Sequence, residues 1–545
     1  MLKISKSLIV TFLVIFLYAT PAFAATSIPF TINMSQAVNV TGTPRIAIDV
    51  GGVARYATYT SGSGTSTLIF TYTMVAGDVD LDGVNLTPSI DLNGGTIKDL
   101  AGNDLSPLTF TAPNTSNVKV NYPSLGMDFV ADADGRYTLN GTAYNDLTSF
   151  LSAAGGTFSR ASVGTYFDSA GVLQTAASGV PRFDYDPITH AAKGILIEES
   201  RANLWQDSEA FNNPFWIASQ VTVSPNVTIS PAGTMTAEKI TEASGGTFHY
   251  VGLTPNYSAN TTRTVSVYAK AAERQWLRVY ADDGSGNSAY ANFNLGTGTY
   301  DFVGGNNSYT SSAMILNVGN GWYRCILTYS IATATTRVQF IMRTTGGTGS
   351  SSYAGDGSSG LYLWGAQIEQ GAFATSYIPT TTATVTRAAD VLTMPTGSWY
   401  NASSGAILTQ YSIAAMGGTA YPGSAVINDG TANNGITLYV ADVSGDLRRG
   451  QVKAGGTTSF DQTALSAYTA GTTTKSSLTY ATNNANLSVD GVIVTTDTSV
   501  TVPTVTSLHV GGTNNGITSA LNGRIEKLRY YPSRISDTQL QLLTQ

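Results

Sequence analysis

A chain of 545 residues is too long for one hydrophobic core, and 42% apolar residues with only 12% charged ones is not a disordered composition. Its net charge of −7, with no long run of Lys and Arg, argues against a surface that tracks nucleic-acid phosphates. Short β-branched runs between Gly, Ser and Thr, with 56 Gly and 29 Tyr, predict several all-β sandwiches. Cys325 is the only cysteine, so no intrachain disulfide staples them, and its apolar neighbourhood reads as a buried strand.

Residues 1–24 read as an export signal. Lys3 and Lys6 precede an apolar run from Leu8 to Tyr18, and Pro21 leads into Ala22-Phe23-Ala24, a small-residue cleavage site. That run is shorter than the roughly 20 residues that span a bilayer. The expected product begins near Ala25, has no membrane span after cleavage, and is extracellular or held at the cell surface.

Residues 25–121 are expected to form an immunoglobulin-like sandwich, with strands such as Arg45–Val50, Ala54–Tyr59 and Ser66–Tyr72 between Gly-rich turns. The strings TGTPRIAIDVGG, AGDVDLDGV and DLNGGTIKDLAGND resemble repeats of bacterial surface adhesins. Asp78, Asp80 and Asp82 alternate and end at Gly83, a spacing of hard oxygen ligands that suits calcium. The pattern is incomplete as an EF-hand, because Ser89 stands where a Glu is needed. Asp132 and Asp134 before Gly135 are a weaker copy.

Residues 122–199 read as a connector or collar packed on the domain that follows it. A short helix within Tyr144–Ala154 would put Leu147, Phe150 and Leu151 on one face and stop at Gly155. Residues 200–391 read as a jelly roll of two antiparallel sheets, with Gly- and Ser-rich surface loops at 282–287 and 346–359. Its strands resemble carbohydrate-binding modules. The strings around it, FDYDP (Phe183–Pro187), ILIEESRANLW (Ile195–Trp205), WGAQIEQG (Trp364–Gly371), TSYIPT (Thr375–Thr380) and TRAAD (Thr386–Asp390), resemble those of phage fibre and head-spike proteins. That resemblance implies glycan or envelope recognition.

Residues 393–545 read as a second sandwich, joined through an exposed linker near 392–402. Asp490-Gly491 between apolar runs is a hairpin signal, and Ser536 with Gln539 spells a capping box for a last helix. Arg448-Arg449 reads as a solvated strand end. The closing string LNGRIEKLRYYPSRISDTQLQLL resembles laminin-G-like, concanavalin-A-like domains. The fold expected overall is all-β and multi-domain: an immunoglobulin-like sandwich followed by two jelly-roll or concanavalin-A-like sandwiches.

Catalytic signals are sparse. His190, His249 and His509 lack metal-ligand spacing, and no nucleophile elbow, phosphate loop or zinc motif occurs. Asp184 and Asp186 could share a strand face, as a glycosidase pair must, but Asp before Pro187 is also ordinary turn chemistry. Glu198 and Glu199 point to opposite faces of a strand, and Arg201 reads as a structural partner of Glu199. Of the six tryptophans, Trp322 and Trp364 sit in apolar strands and read as core. Trp276 and Tyr280 flank the 282–287 loop and are the candidates for stacking on sugar. The function expected is non-enzymatic: a secreted surface or fibre-like protein that binds polysaccharide or cell-surface glycan, or mediates adhesion. A glycan-processing enzyme or its accessory module, and a structural spacer, are the alternatives.

Overall fold

The structure, a computed structural model, describes residues 26–545 apart from 131–134, 307–308, 332, 415–420, 442–444 and 513–518. The export signal and the pair Asp132 and Asp134 lie outside the described residues. What is described is a multi-domain assembly of antiparallel sheets.

In the first domain, strands Asn85–Asp91, Arg45–Val50, Val53–Ser61, Thr65–Thr73, Ser27–Thr41 and Thr96–Asp99 lie side by side in one six-stranded sheet. Ser27–Thr41 is long enough to serve two partners. It pairs with Thr65–Thr73 from Ser27 to Asn33, slips register before Val38, and then pairs with Thr96–Asp99. Phe30, Ile32, Ile46, Ile48, Leu68 and Phe70 are buried, alternate with less buried residues and belong to its core.

Residues 203–370 carry two six-stranded sheets. One runs Ile217–Ser219, Tyr250–Leu253, Arg337–Arg343, Trp276–Asp282, Ser288–Asn294 and Thr299–Asn306. The other runs Val221–Thr228, Ala237–Glu242, Gly360–Gln370, Arg263–Ala271, Trp322–Ile331 and Tyr309–Asn317. Leu277, Val279, Phe293, Val265, Leu327 and Ile368 belong to the core they share. Cys325 is buried there, as its apolar setting predicts.

The collar and the last domain are one body, which differs from the expected order. Leu125–Asp128 pairs with Lys527–Tyr530, and Ala192–Ile197 pairs with Gly523–Ile525 farther along the same strand, Gly523–Tyr531. Thr157–Ser159 pairs with Val391–Pro395, which continues into Ser507–Val510. Leu125, Met127, Phe150, Ile195 and Ile197 enter the same core as Ile407, Leu487 and Tyr530. The collar therefore does not pack mainly on the jelly roll; toward that domain it sends Leu173, with Phe167 beside it, against Tyr268, Trp322 and Trp364, and the Leu173 N–H donates to the Pro231 carbonyl at 3.0 Å. Nor is 392–402 an exposed linker, because it holds a central strand and Trp399, which is 1% exposed. The jelly roll is an insertion in the last sandwich, entered and left through Arg201–Asn203 paired with Val385–Arg387.

Local expectations divide. The helix Leu147–Ala154 forms with Asp146 as N-cap and Gly155 in the left-handed C-cap conformation, burying Leu147, Phe150 and Leu151. Asp490-Gly491 joins the hairpin of Asn484–Val489 and Val492–Asp497. Ser536 begins the helix Asp537–Thr544, but its side chain makes no capping bond. Arg448 is not a solvated end: it is 6% exposed and pairs with Asp490 at 2.7 Å.

Candidate functional site

Alternation along Trp276–Asp282 sends Leu277, Val279 and Ala281 into the core, so Trp276, Arg278, Tyr280 and Asp282 occupy the opposite face of the sheet. Register then fixes their neighbours. Tyr280 lies between Tyr290 and Gln339, Arg278 between Asn292 and Ile341, and Trp276 between Asn294 and Arg343. The rings of Tyr280 and Tyr290 are 6.1 Å apart and tilted by 32°, and the Arg278 guanidinium sits 4.0 Å from the Tyr290 centroid.

Beside this pair is a polar floor. Arg278 Nε donates to Asn292 Oδ1 at 2.7 Å, and Asn292 Nδ2 donates to Asp301 Oδ1 at 3.2 Å. Segment 344–350 lies over Arg278 and Arg343. At Gly346 a side chain would overlap the Asp301 carboxylate and come within 2.6 Å of the Trp276 ring, so the backbone and those two side chains could not all keep their places. Burial, reinforced by the Arg343 charge, pushes the Arg278 guanidinium down to about 10.

Trp276 is set apart from the other tryptophans. Trp205, Trp216, Trp322, Trp364 and Trp399 are 1–5% exposed, whereas Trp276 is half-buried on an outer face. The two sugar-stacking candidates thus share one face, two residues either side of Arg278. Tyr290, Asn292, Asp301, Gln339 and Arg343 were not singled out from sequence. Strand alternation marks Tyr290 and Asn292 as facing the same way, but only the cross-strand register places them beside Tyr280 and Arg278.

The acidic turn is arranged differently. Asp78 is held by Arg55 at 2.8 Å and accepts from the Val75 N–H and the Tyr72 hydroxyl. Asp80 accepts from the Gly51 and Gly83 N–H groups at 2.8 and 2.7 Å, and Asp82 accepts from the Gln539 amide. Burial, with the neighbouring Asp82 carboxyl, holds Asp80 above the usual carboxylate range. Asp80 and Asp82 are thus brought together and Asp78 is not. Calcium takes six to eight oxygens, and these carboxylates already face N–H and O–H donors, so the turn does not fit a calcium cage. Among the described residues no group of three or more His, Cys, Asp or Glu is placed to hold a metal.

The carboxylates weighed for catalysis are engaged elsewhere. Asp184 is 2% exposed, pairs with Arg524 at 2.6 Å and accepts from the Phe167 N–H. Asp186 caps its own turn through the N–H groups of Ile188 and Thr189. Glu198 bonds Arg182 at 2.8 Å and the Ser376 N–H and hydroxyl, while Glu199 pairs with Arg201 at 2.5 Å.

No family model matches the chain, and no curated protein matches it. Solved structures do. The CBM40 of Ruminococcus gnavus IT-sialidase, bound to alpha2,3 sialyllactose, is 17% identical with a TM-score of 0.23, covering 27% of this chain and 84% of that one. Domain 4 of AbnA, a GH43 extracellular arabinanase from Geobacillus stearothermophilus, in complex with arabinotriose, is 13% identical with a TM-score of 0.24, covering 32% and 82%. Domains LG4-5 of the mouse laminin alpha1 chain are 12% identical with a TM-score of 0.20, covering 54% and 88%.

Proposed function

We propose that this chain is an exported, non-enzymatic carbohydrate-binding protein whose ligand lies on the outer face of the sheet carrying Trp276, Tyr280 and Tyr290. The observation that carries this reading is the placement of three half-buried aromatic rings on one sheet face beside Arg278, Asn292, Asp301 and Gln339. Sugar rings offer apolar C–H faces that stack on such rings, and their hydroxyls need planar donors and acceptors alongside. The other tryptophans are spent on cores, which supports a binding role for Trp276 over a packing one. The absence of catalysis is proposed on the buried pairing of Asp184 and Glu198, which leaves neither free to move a proton.

The test is co-sedimentation of the full chain with a panel of insoluble polysaccharides, with reducing sugar measured in the supernatant. Retention on at least one polymer without sugar release is expected, and Trp276→Ala should weaken it about tenfold, the scale of 1.4 kcal/mol. Sugar release by the wild type that Asp184→Asn abolishes would favour the hydrolase instead.

A further inference from the structure

Three donors on the proposed face converge on one acceptor. The Gly347 carbonyl accepts from Asn292 Nδ2 at 2.8 Å, Arg343 Nη1 at 2.9 Å and Arg278 Nη2 at 3.2 Å. The next available carbonyl, Gly349, accepts from Arg343 Nη2 at 2.8 Å. Both guanidiniums are out of water, with Arg278 7% and Arg343 2% exposed. Their charge is poorly matched: Asp301 is the one carboxylate among these side chains, and it accepts from the Gly347 N–H at 2.6 Å as well as from Asn292. Arg343 Nε is buried with no partner at all.

Two desolvated cations against one anion is an arrangement that a neutral carbonyl dipole satisfies only in part. An ionised oxygen pair answers it better, because guanidiniums bind carboxylates through two parallel, charge-assisted N–H bonds. The residues now over the cluster, Gly346 to Gly349, include three glycines; Gly346 and Gly347 are half-buried and Thr348 and Gly349 exposed, so the segment is held by the bonds to Gly347 and Gly349 and not by side chains of its own.

We propose that Arg278, Asn292 and Arg343 form a subsite for the carboxylate of an acidic saccharide, and that the Gly347 carbonyl occupies it until the ligand displaces the segment. Displacement also uncovers the edge of Trp276 against which Gly346 rests, so the charged group and the stacking ring are presented together. The subsite rests on the carbohydrate-binding reading, and its failure can be told apart from a failure of that reading.

The test is calorimetric titration of the full chain with oligogalacturonate, oligomannuronate and a hyaluronan oligosaccharide, each against its own methyl ester. At least one acid should bind about tenfold or more tightly than its ester, a preference that weakens with salt. Arg343→Gln should erase the preference, with its melting temperature confirming that it folds. Gly346→Ala, whose methyl group would crowd Asp301 and Trp276 and so loosen the Gly347 contacts, should strengthen acid binding several-fold. Equal affinity for acid and ester, with saccharide still bound, would overturn the subsite and leave the broader reading standing. If Arg343→Gln does not fold, unchanged acid affinity in Gly346→Ala overturns it. Binding of no saccharide by either the wild type or Gly346→Ala would overturn both.

Discussion

Burial decides what an acidic residue does here, and Glu238 shows it most directly. It is 2% exposed, accepts from the Asn212 N–H at 3.2 Å, and burial pushes its carboxyl up to about 7. An acid raised on folding favours the protonated native state. The associated stability is therefore present below the ordinary carboxylate range and is lost as pH rises through about 7. Glu238→Gln should raise the melting temperature at pH 8 and change it little at pH 4; an equal shift at both would reject the assignment. The turn at Asp78, Asp80 and Asp82 offers the opposite lesson. Its spacing is legible in sequence as a ligand pattern, but spacing does not show that Arg55, Gly51 and Gln539 supply donors from distant segments. Millimolar calcium should leave the melting temperature of the chain unchanged, and a clear rise over chelator-treated protein would contradict that.

At the scale of elements, the strings that flank the jelly roll turn out to be one junction. Arg182 from the stretch before FDYDP, Glu198 from ILIEE, Ser376 from TSYIPT, and Arg387 and Asp390 from TRAAD meet in a buried cluster with Arg160. Arg182 bonds Asp390 at 2.5 Å and Arg160 bonds it at 3.1 Å, with all three side chains fully enclosed. Burial alone would raise Glu198, but the Arg387 and Arg182 charges outweigh it and hold the carboxyl well below its usual range. Removing one partner of such a cluster leaves uncompensated charge, which costs about 3–5 kcal/mol. Asp390→Asn should lower the chain's thermal midpoint accordingly, while Asp104→Asn, in a surface pair with Lys98 where its side chain is 76% exposed, should leave it nearly unchanged; equal effects would show that the cluster does not hold the junction. Gly194 belongs to the same device: it adopts a left-handed φ of 99°, and a side chain there would overlap the Ile525 carbonyl. The individual strands, the helix Leu147–Ala154 and the hairpin at Asp490 were legible because alternation, capping and turn chemistry are local. The pairing of Leu125–Asp128 and Ala192–Ile197 with Gly523–Tyr531 was not, because register between segments more than 300 residues apart leaves no local pattern.

Across the whole molecule, the first domain is docked on the last helix. Val79, with Leu81 beside it, packs with Tyr531, Ile535, Leu540 and Leu543, and Tyr531 donates to Asn121 Oδ1 at 2.7 Å. Gln539, expected to close a capping box, instead accepts from the Leu81 N–H at 2.7 Å and donates to Asp82. Gln539→Ala should cost about 1–2 kcal/mol of docking and speed hydrogen exchange at the Leu81 amide, with exchange in the Leu277–Val279 core unchanged. No change at Leu81 would mean that the contact does not hold the domains together. With the acidic turn committed to docking and the paired acids to the junction, the central proposal is that the aromatic face of the inserted jelly roll takes the ligand. A glycan array probed with the full chain and with a Trp276→Ala/Tyr280→Ala variant tests that most directly. Binding to a defined set of glycans by the wild type, lost in a variant with an unchanged melting temperature, is the expected result; glycan binding that survives the double substitution would contradict it.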